Sequence, residues 1–191
     1  MKERVGGNGR LALPAFAPMA AQKDAVAVIL GIDPSLRGTG FGIIQTASQP
    51  PRTLAHGTIS CPQSWARSRC LARISEVLRG EIRKYRPGVC VVEGIFYAQN
   101  MQTAMIMGEA RGAALAAVAE SGIEIFEIAP RKVKQAVVGY GAAQKSAVAR
   151  MVQRLLCLSE VPAPDAADAL ALALTLAREH SRYSLAPPKR I

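Results

Sequence analysis

The stretch Val26-Ala27-Val28-Ile29-Leu30-Gly31-Ile32-Asp33 decides the fold, because an unbroken apolar run ends on a carboxylate. A run of this length, bounded by the turn residues Pro34, Ser35 and Gly38, reads as a buried strand rather than a helix. Gly38-Thr39-Gly40-Phe41-Gly42-Ile43-Ile44 then reads as a second strand, and Thr53 to Ser60 as a third. Three strands in such quick succession are most simply an antiparallel meander.

Downstream the period changes. Ser64 to Tyr85 carries Leu71, Ile74, Val77, Leu78 and Ile82 at helical spacing, with arginines opposite, and Pro87 stops it. Val89-Cys90-Val91-Val92-Glu93 repeats the opening pattern of an apolar strand ending on an acid. Asn100 to Glu120 reads as a helix, Gly122 to Ile128 as a fifth strand, and Pro130–Val138, Ala142–Leu156 and Asp165–His180 as helices. The order predicts an α/β domain over residues 25–180: a five-stranded mixed sheet, antiparallel meander first and parallel strands after, flanked by helices.

The ends lie outside that domain. In residues 1–24, Lys2, Arg4 and Arg10 precede a short apolar run that Pro14 and Pro18 interrupt. A secretory signal needs a longer unbroken core, so the segment reads as a flexible leader, or as a start placed too far upstream of Met19. Residues 181–191 read as a basic, flexible tail.

Composition narrows the function. Among 191 residues, 24 Lys and Arg outweigh 14 Asp and Glu, for a net charge of +10. Such an excess favours a polyanion. Nucleic acid is preferred over a membrane, since no amphipathic helix sets a basic face against large apolar side chains. Half the residues are hydrophobic, yet no apolar stretch is long enough to span a bilayer. The four cysteines form no metal or disulfide spacing, which suits a reducing cytoplasm. His56 and His180 have no nucleophile pattern around them.

Against this background four acids stand out: Asp33, Glu93, and Asp165 and Asp168 at the head of a nearly all-apolar helix. Singly, each has an ordinary explanation. Asp33 before Pro34 suits a turn, Asp165 after Pro164 suits a helix cap, and Glu93 could pair with a neighbouring Arg or Lys. Together they are harder to dismiss. Asp33 and Glu93 end two strands of one sheet, and Asp165 and Asp168, three apart, share a helix face. Carboxylates converging beside a core repel one another and lose hydration, and Mg²⁺ offsets both. Four such ligands suit two metal ions about 4 Å apart at a phosphodiester.

The linked motifs resemble the RuvC-type Holliday junction resolvases of the ribonuclease H-like superfamily. The resemblance rests on Ile29-Leu30-Gly31-Ile32-Asp33-Pro34, Val92-Glu93-Gly94-Ile95-Phe96, and Gly108-Glu109-Ala110-Arg111-Gly112. It continues through Val133 to Gly139 with Gln144-Lys145, and Asp165 to Ala171, so it runs from about residue 26 to residue 178. It implies a ribonuclease H-like fold and a homodimeric, Mg²⁺-dependent endonuclease, with Mn²⁺ as a substitute and two ions per site. Such enzymes nick opposing strands of a four-way DNA junction and leave 5′-phosphate and 3′-hydroxyl ends, in recombination and repair. Asp33, Glu93, Asp165 and Asp168 would be the metal ligands.

The resemblance also gives Lys134 and Lys145 a place at the scissile phosphate or the junction strands, where a Lys steadies phosphate charge. Phe96 matches an aromatic that engages an unpaired base, and Tyr97 follows it. The dimer contact falls on the helix with Met101, Ala104, Met105, Gly108 and Gly112 on one face, and a branch-migration helicase complex of the RuvA and RuvB type would deliver the junction. Ser35, where the family often has Gly, and Gly94, where Gln is common, depart from the pattern. The alternatives are a non-catalytic junction-binding module, a related nuclease acting on RNA, and an actin-like phosphotransferase. The last would need a second, duplicated half that this chain lacks.

Overall fold

A computed structural model describes residues 28–94, 100–180 and 188–191. Its elements follow in chain order: β1 (Val28–Asp33), β2 (Gly38–Gln45), β3 (Arg52–Ser60), α1 (Arg67–Tyr85), β4 (Val89–Glu93), α2 (Met101–Ala119), β5 (Glu124–Ile128), α3 (Pro130–Val138), α4 (Lys145–Leu155), α5 (Pro164–His180) and β6 (Lys189–Arg190). The sheet order is β3-β2-β1-β4-β5-β6. The meander β1–β2–β3 is antiparallel, β1, β4 and β5 run parallel, and β6 closes the far edge antiparallel to β5.

Local chemistry accounts for the boundaries. Asn100 caps α2 by accepting a hydrogen bond from the Thr103 amide at 2.9 Å. Pro130 opens α3, where a missing N–H costs nothing, and Gly139 closes it at a φ of 100° that other residues avoid. β4 and α3 coincide residue for residue with their sequence reading. α4 begins three residues later than expected, because a turn at Gly141–Ala142 and the buried Ala143 precede its cap, Gln144.

The sheet has six strands, not the five expected. Lys189 and Arg190, assigned to the tail, pair with Glu127 and Phe126, and Arg190 meets Glu124 at 2.9 Å. Two charged residues carry no alternation, so nothing local announces this strand; the open edge of β5 recruits it. The leader, Phe96 and Tyr97 lie outside the described residues, as does most of the tail.

Strand alternation divides the core in two. Ile29, Ile44, Val89, Val91 and Ile128 face α3, α4 and α5. Leu30, Ile32, Ile43, Cys90, Val92 and Ile125 face α1 and α2. α5 lies deepest: Ala166 to Leu176 is buried throughout except at Asp168, which is half-buried. No helix among the described residues is long and apolar enough to cross a membrane.

Candidate active site

β1 and β4 lie side by side with Ile32 opposite Val92, so the next residues, Asp33 and Glu93, stand together at the two strand ends. By alternation both point to the α5 side, as Ile29, Val89 and Val91 do. Buried side by side, the two carboxyls perturb each other's ionisation. Burial foremost, and then the charges of Glu93 and Asp168, push the Asp33 carboxyl up to about 8. Burial and Asp168 raise Glu93 as well, while the bond from Asp33 and the charges of Lys145 and Lys134 hold it down.

α5 brings the other acids, and it can do so because the sheet beneath it lacks side chains. A Cβ on Gly31 would fall 2.0 Å from the Ala169 carbonyl oxygen, and one on Gly40 the same distance from that of Asp165. Glycine at these positions is therefore a condition of the packing. Gly40 pairs with Asp33 across β1 and β2, so the first turn of α5 rests directly beside the carboxylate pair. Asp168 faces Asp33 and Glu93 closely enough to raise both. Asp165, one turn earlier, stands over β2, with its Oδ2 2.9 Å from where a Gly38 Cβ would stand.

Two lysines answer this charge from neighbouring helices. Lys145, the first residue of α4, donates from Nζ to Asp168 Oδ2 at 2.7 Å. That hydrogen bond raises its own pKa. Lys134 on α3 acts on Glu93 through its charge. The structure thus gathers Asp33, Glu93, Asp168, Lys134 and Lys145, with Asp165 over the adjoining strand.

Burial and neighbouring acid charge raise the pKa values of Asp33 and Glu93, with Asp168 acting on both, and Lys145 and Lys134 offset this only in part. Hard oxygen donors that are mutually repulsive and partly desolvated are the donor set a divalent cation fits, since its charge offsets that repulsion. Among the described residues no group of three or more His, Cys, Asp or Glu stands arranged as a finished metal cage. Lys145 holds Asp168 in its present orientation.

Sequence reasoning missed two parts. Thr39, fully buried, accepts from the Ser35 amide at 3.2 Å and donates to its carbonyl at 2.6 Å, closing the turn after Asp33. Arg111 of α2 donates to the backbone carbonyl of Glu93 and pairs with Glu127. The signal for Arg111 was present: it is the only basic residue in α2. Other basic residues prove to be surface partners, as Arg67 with Glu109 and Arg79 with Glu120, which join α1 to α2.

Residues 29–176 match the family model described as crossover junction endodeoxyribonuclease RuvC. A curated relative of that name from Akkermansia muciniphila is 48% identical over 147 residues, 77% of this chain and 88% of the relative. Another, from Rubrobacter xylanophilus, is 43% identical over 154 residues, 80% and 86% of the two chains. Among solved structures, Thermus thermophilus RuvC in complex with a Holliday junction substrate superposes with a TM-score of 0.78 at 32% identity. It covers 86% of this chain and 99% of its own.

Proposed function

The chain belongs to the family of the crossover junction endodeoxyribonuclease RuvC, and we propose that it resolves four-way DNA junctions at the Asp33–Glu93–Asp168 cluster. It is a structure-specific, metal-dependent endonuclease of DNA recombination and repair. The observation that carries the site is the pairing of buried, mutually repulsive carboxyls with lysines from two further helices.

In our reading Asp33, Glu93, Asp165 and Asp168 hold two Mg²⁺ ions, and Mn²⁺ can take their place. Bound there, the ions supply Lewis acidity toward the scissile phosphate and the attacking water. The residues of the chain do the rest. Asp33, whose carboxyl burial and its neighbours push up to about 8, would hold a cation there in its ionised form. Lys134 and Lys145 neutralise phosphate oxygens beside the carboxylates, and Lys145 exchanges Asp168 for phosphate. Phe96, which follows Glu93 in the chain, would engage a base at the opened crossover.

A homodimer completes the reading. Met101 and Met105 are 77% and 58% exposed, and nothing lies within 4 Å of a side chain built at Gly108 or Gly112. An apolar and small-residue stripe left open on one helix suits a second copy of the same helix, and two copies present two sites to two strands. Delivery by a RuvA and RuvB type branch-migration complex, and residence in the cytoplasm, belong to the same proposal.

The test uses a labelled four-way junction and a linear duplex of the same sequence, each with Mg²⁺ or EDTA, and an Asp168→Asn variant. Paired nicks in the junction that need Mg²⁺ and vanish in the variant support the reading. Binding without cleavage would favour a non-catalytic module.

A further inference from the structure

We infer that Arg111 is a positioning residue that holds the Glu93 peptide, and so aims the Glu93 carboxylate at the reacting phosphate. The inference rests on the reading of Glu93 as a carboxylate of the active site.

The hydrogen-bonded register between β4 and β1 ends at Val92, and that between β4 and β5 ends at Glu93. The Gly94 amide still bonds the Ile128 carbonyl at 3.0 Å, but the Glu93 carbonyl is the last of its strand. A carbonyl at such a place needs a partner or water. Here the partner comes from a helix. One guanidinium nitrogen of Arg111 donates to Glu93 O, and another meets Glu127 Oε2.

The two contacts have a shared logic. Glu127 lies opposite Val92 on β5. Its neighbours in β5, Phe126 and Ile128, face α5, so alternation turns Glu127 toward α2. Arg111 therefore grips the sheet from the α2 side, while the Glu93 carboxyl works on the α5 side. Fixing the carbonyl fixes the rotation of the last peptide of β4, and with it the direction in which the side chain leaves. The clamp is partly shielded from water, with Arg111 12% and Glu127 23% exposed. A charge so placed in α2, next to buried Ala110, would be a poor choice for packing alone.

Geometry also explains why the residue is arginine. A planar fork reaches an acceptor on each of two strands at once, whereas an ammonium is a single point of charge on a flexible stem. Lysine could keep the ion pair with Glu127 and lose the carbonyl.

The experiment compares Arg111→Lys, Glu127→Gln and Glu93→Gln in the full chain. It reads the single-turnover cleavage rate at saturating junction, junction affinity in EDTA, and the melting temperature. Arg111→Lys should lower the rate about 10- to 100-fold, as loss of a group that orients a ligand does, with junction affinity unchanged. Glu127→Gln, which leaves the carbonyl contact, should lower the melting temperature yet keep most of the rate. Wild-type cleavage by Arg111→Lys beside an inactive Glu93→Gln would overturn the inference while sparing the site. Rates that fall in step with melting temperature in both the Arg111 and Glu127 variants would also overturn it, as a merely structural clamp. If Glu93→Gln itself cleaved normally, the reading of the site would fall and the inference with it.

Discussion

On the face of the sheet that α5 covers, side chains are left out; on the face that α1 and α2 cover, they are filled in. Gly31 and Gly40 let the α5 backbone touch the strands, and the space saved admits acids where two strands end. On the opposite face Leu30, Ile32, Ile43, Cys90 and Val92 interlock with Cys70, Ile74, Leu78 and Ile82 of α1 and with Ala110, Ala114 and Val118 of α2. One face brings polar groups close by removing volume, and keeps carboxyls that destabilise each other. The other supplies the apolar burial that tolerates them. Chemistry and stability are thus assigned to different sides of one sheet, and substitutions should separate them.

The largest expected effect is on activity, at Asp33. Asp33→Asn should reduce cleavage on the order of 1,000-fold or more, since a lost charge in such a centre withdraws several kcal/mol from the transition state. Stability should move the other way. With a folded-state pKa near 8 against 3.8 for the free side chain, folded protein binds the proton more tightly than unfolded protein. Asp33 therefore makes metal-free protein most stable at low pH, and that contribution is lost as pH rises from about 4 to about 8. Melting curves in EDTA across that window should slope downward for the wild type and be flatter for Asp33→Asn. An equal slope in both would mean that the strand-end proton is not where the geometry puts it.

Gly40→Ala attacks the same face through volume alone. Its Cβ would press on the Asp165 carbonyl, which is backbone and cannot rotate away. Lifting α5 even slightly displaces Asp165 and Asp168 together, so cleavage should fall about 100-fold, with overpacking costing about 1–3 kcal/mol. Undiminished cleavage would show that α5 need not touch the strands.

The opposite face should respond in reverse. Ile74 is fully buried between α1 and the sheet, so Ile74→Ala should cost about 2–5 kcal/mol in chemical denaturation. Cleavage per folded molecule should stay at the wild-type level below the melting transition. A variant that melted normally but cleaved poorly would break the division between the faces.

How much of this was legible beforehand follows from the same contrast. The face with α1 and α2 is written in periodicity, and Ile74, Leu78 and Ile82 announce it. The strand-ending acids and the pair at 165 and 168 were also readable, because a carboxylate beside an apolar run demands a reason. The glycines were read as part of a strand but not as a helix bed, since close approach of two backbones leaves no trace in either segment alone. Arg111 was quoted in a motif without a role, because its partners, Glu93 and Glu127, sit 18 and 16 residues away on two strands. Lys189–Arg190 was unreadable, because only the edge of β5 makes it a strand.

The smallest effect tests whether the basic charge itself is divided between faces. Arg67 pairs with Glu109 at 3.4 Å, both side chains well exposed, so Arg67→Ala should change stability by less than about 1 kcal/mol. Lys134 instead acts on Glu93 through its charge. If it meets a junction phosphate, Lys134→Ala should reduce the salt dependence of junction binding by about one unit of slope, the share of one phosphate contact. Arg67→Ala should leave that slope alone, since its guanidinium is already paired with Glu109 of α2. Titration of junction affinity against salt for both variants separates the cases. An equal loss of slope would mean that DNA also wraps onto α1, and that both faces of the sheet share the substrate.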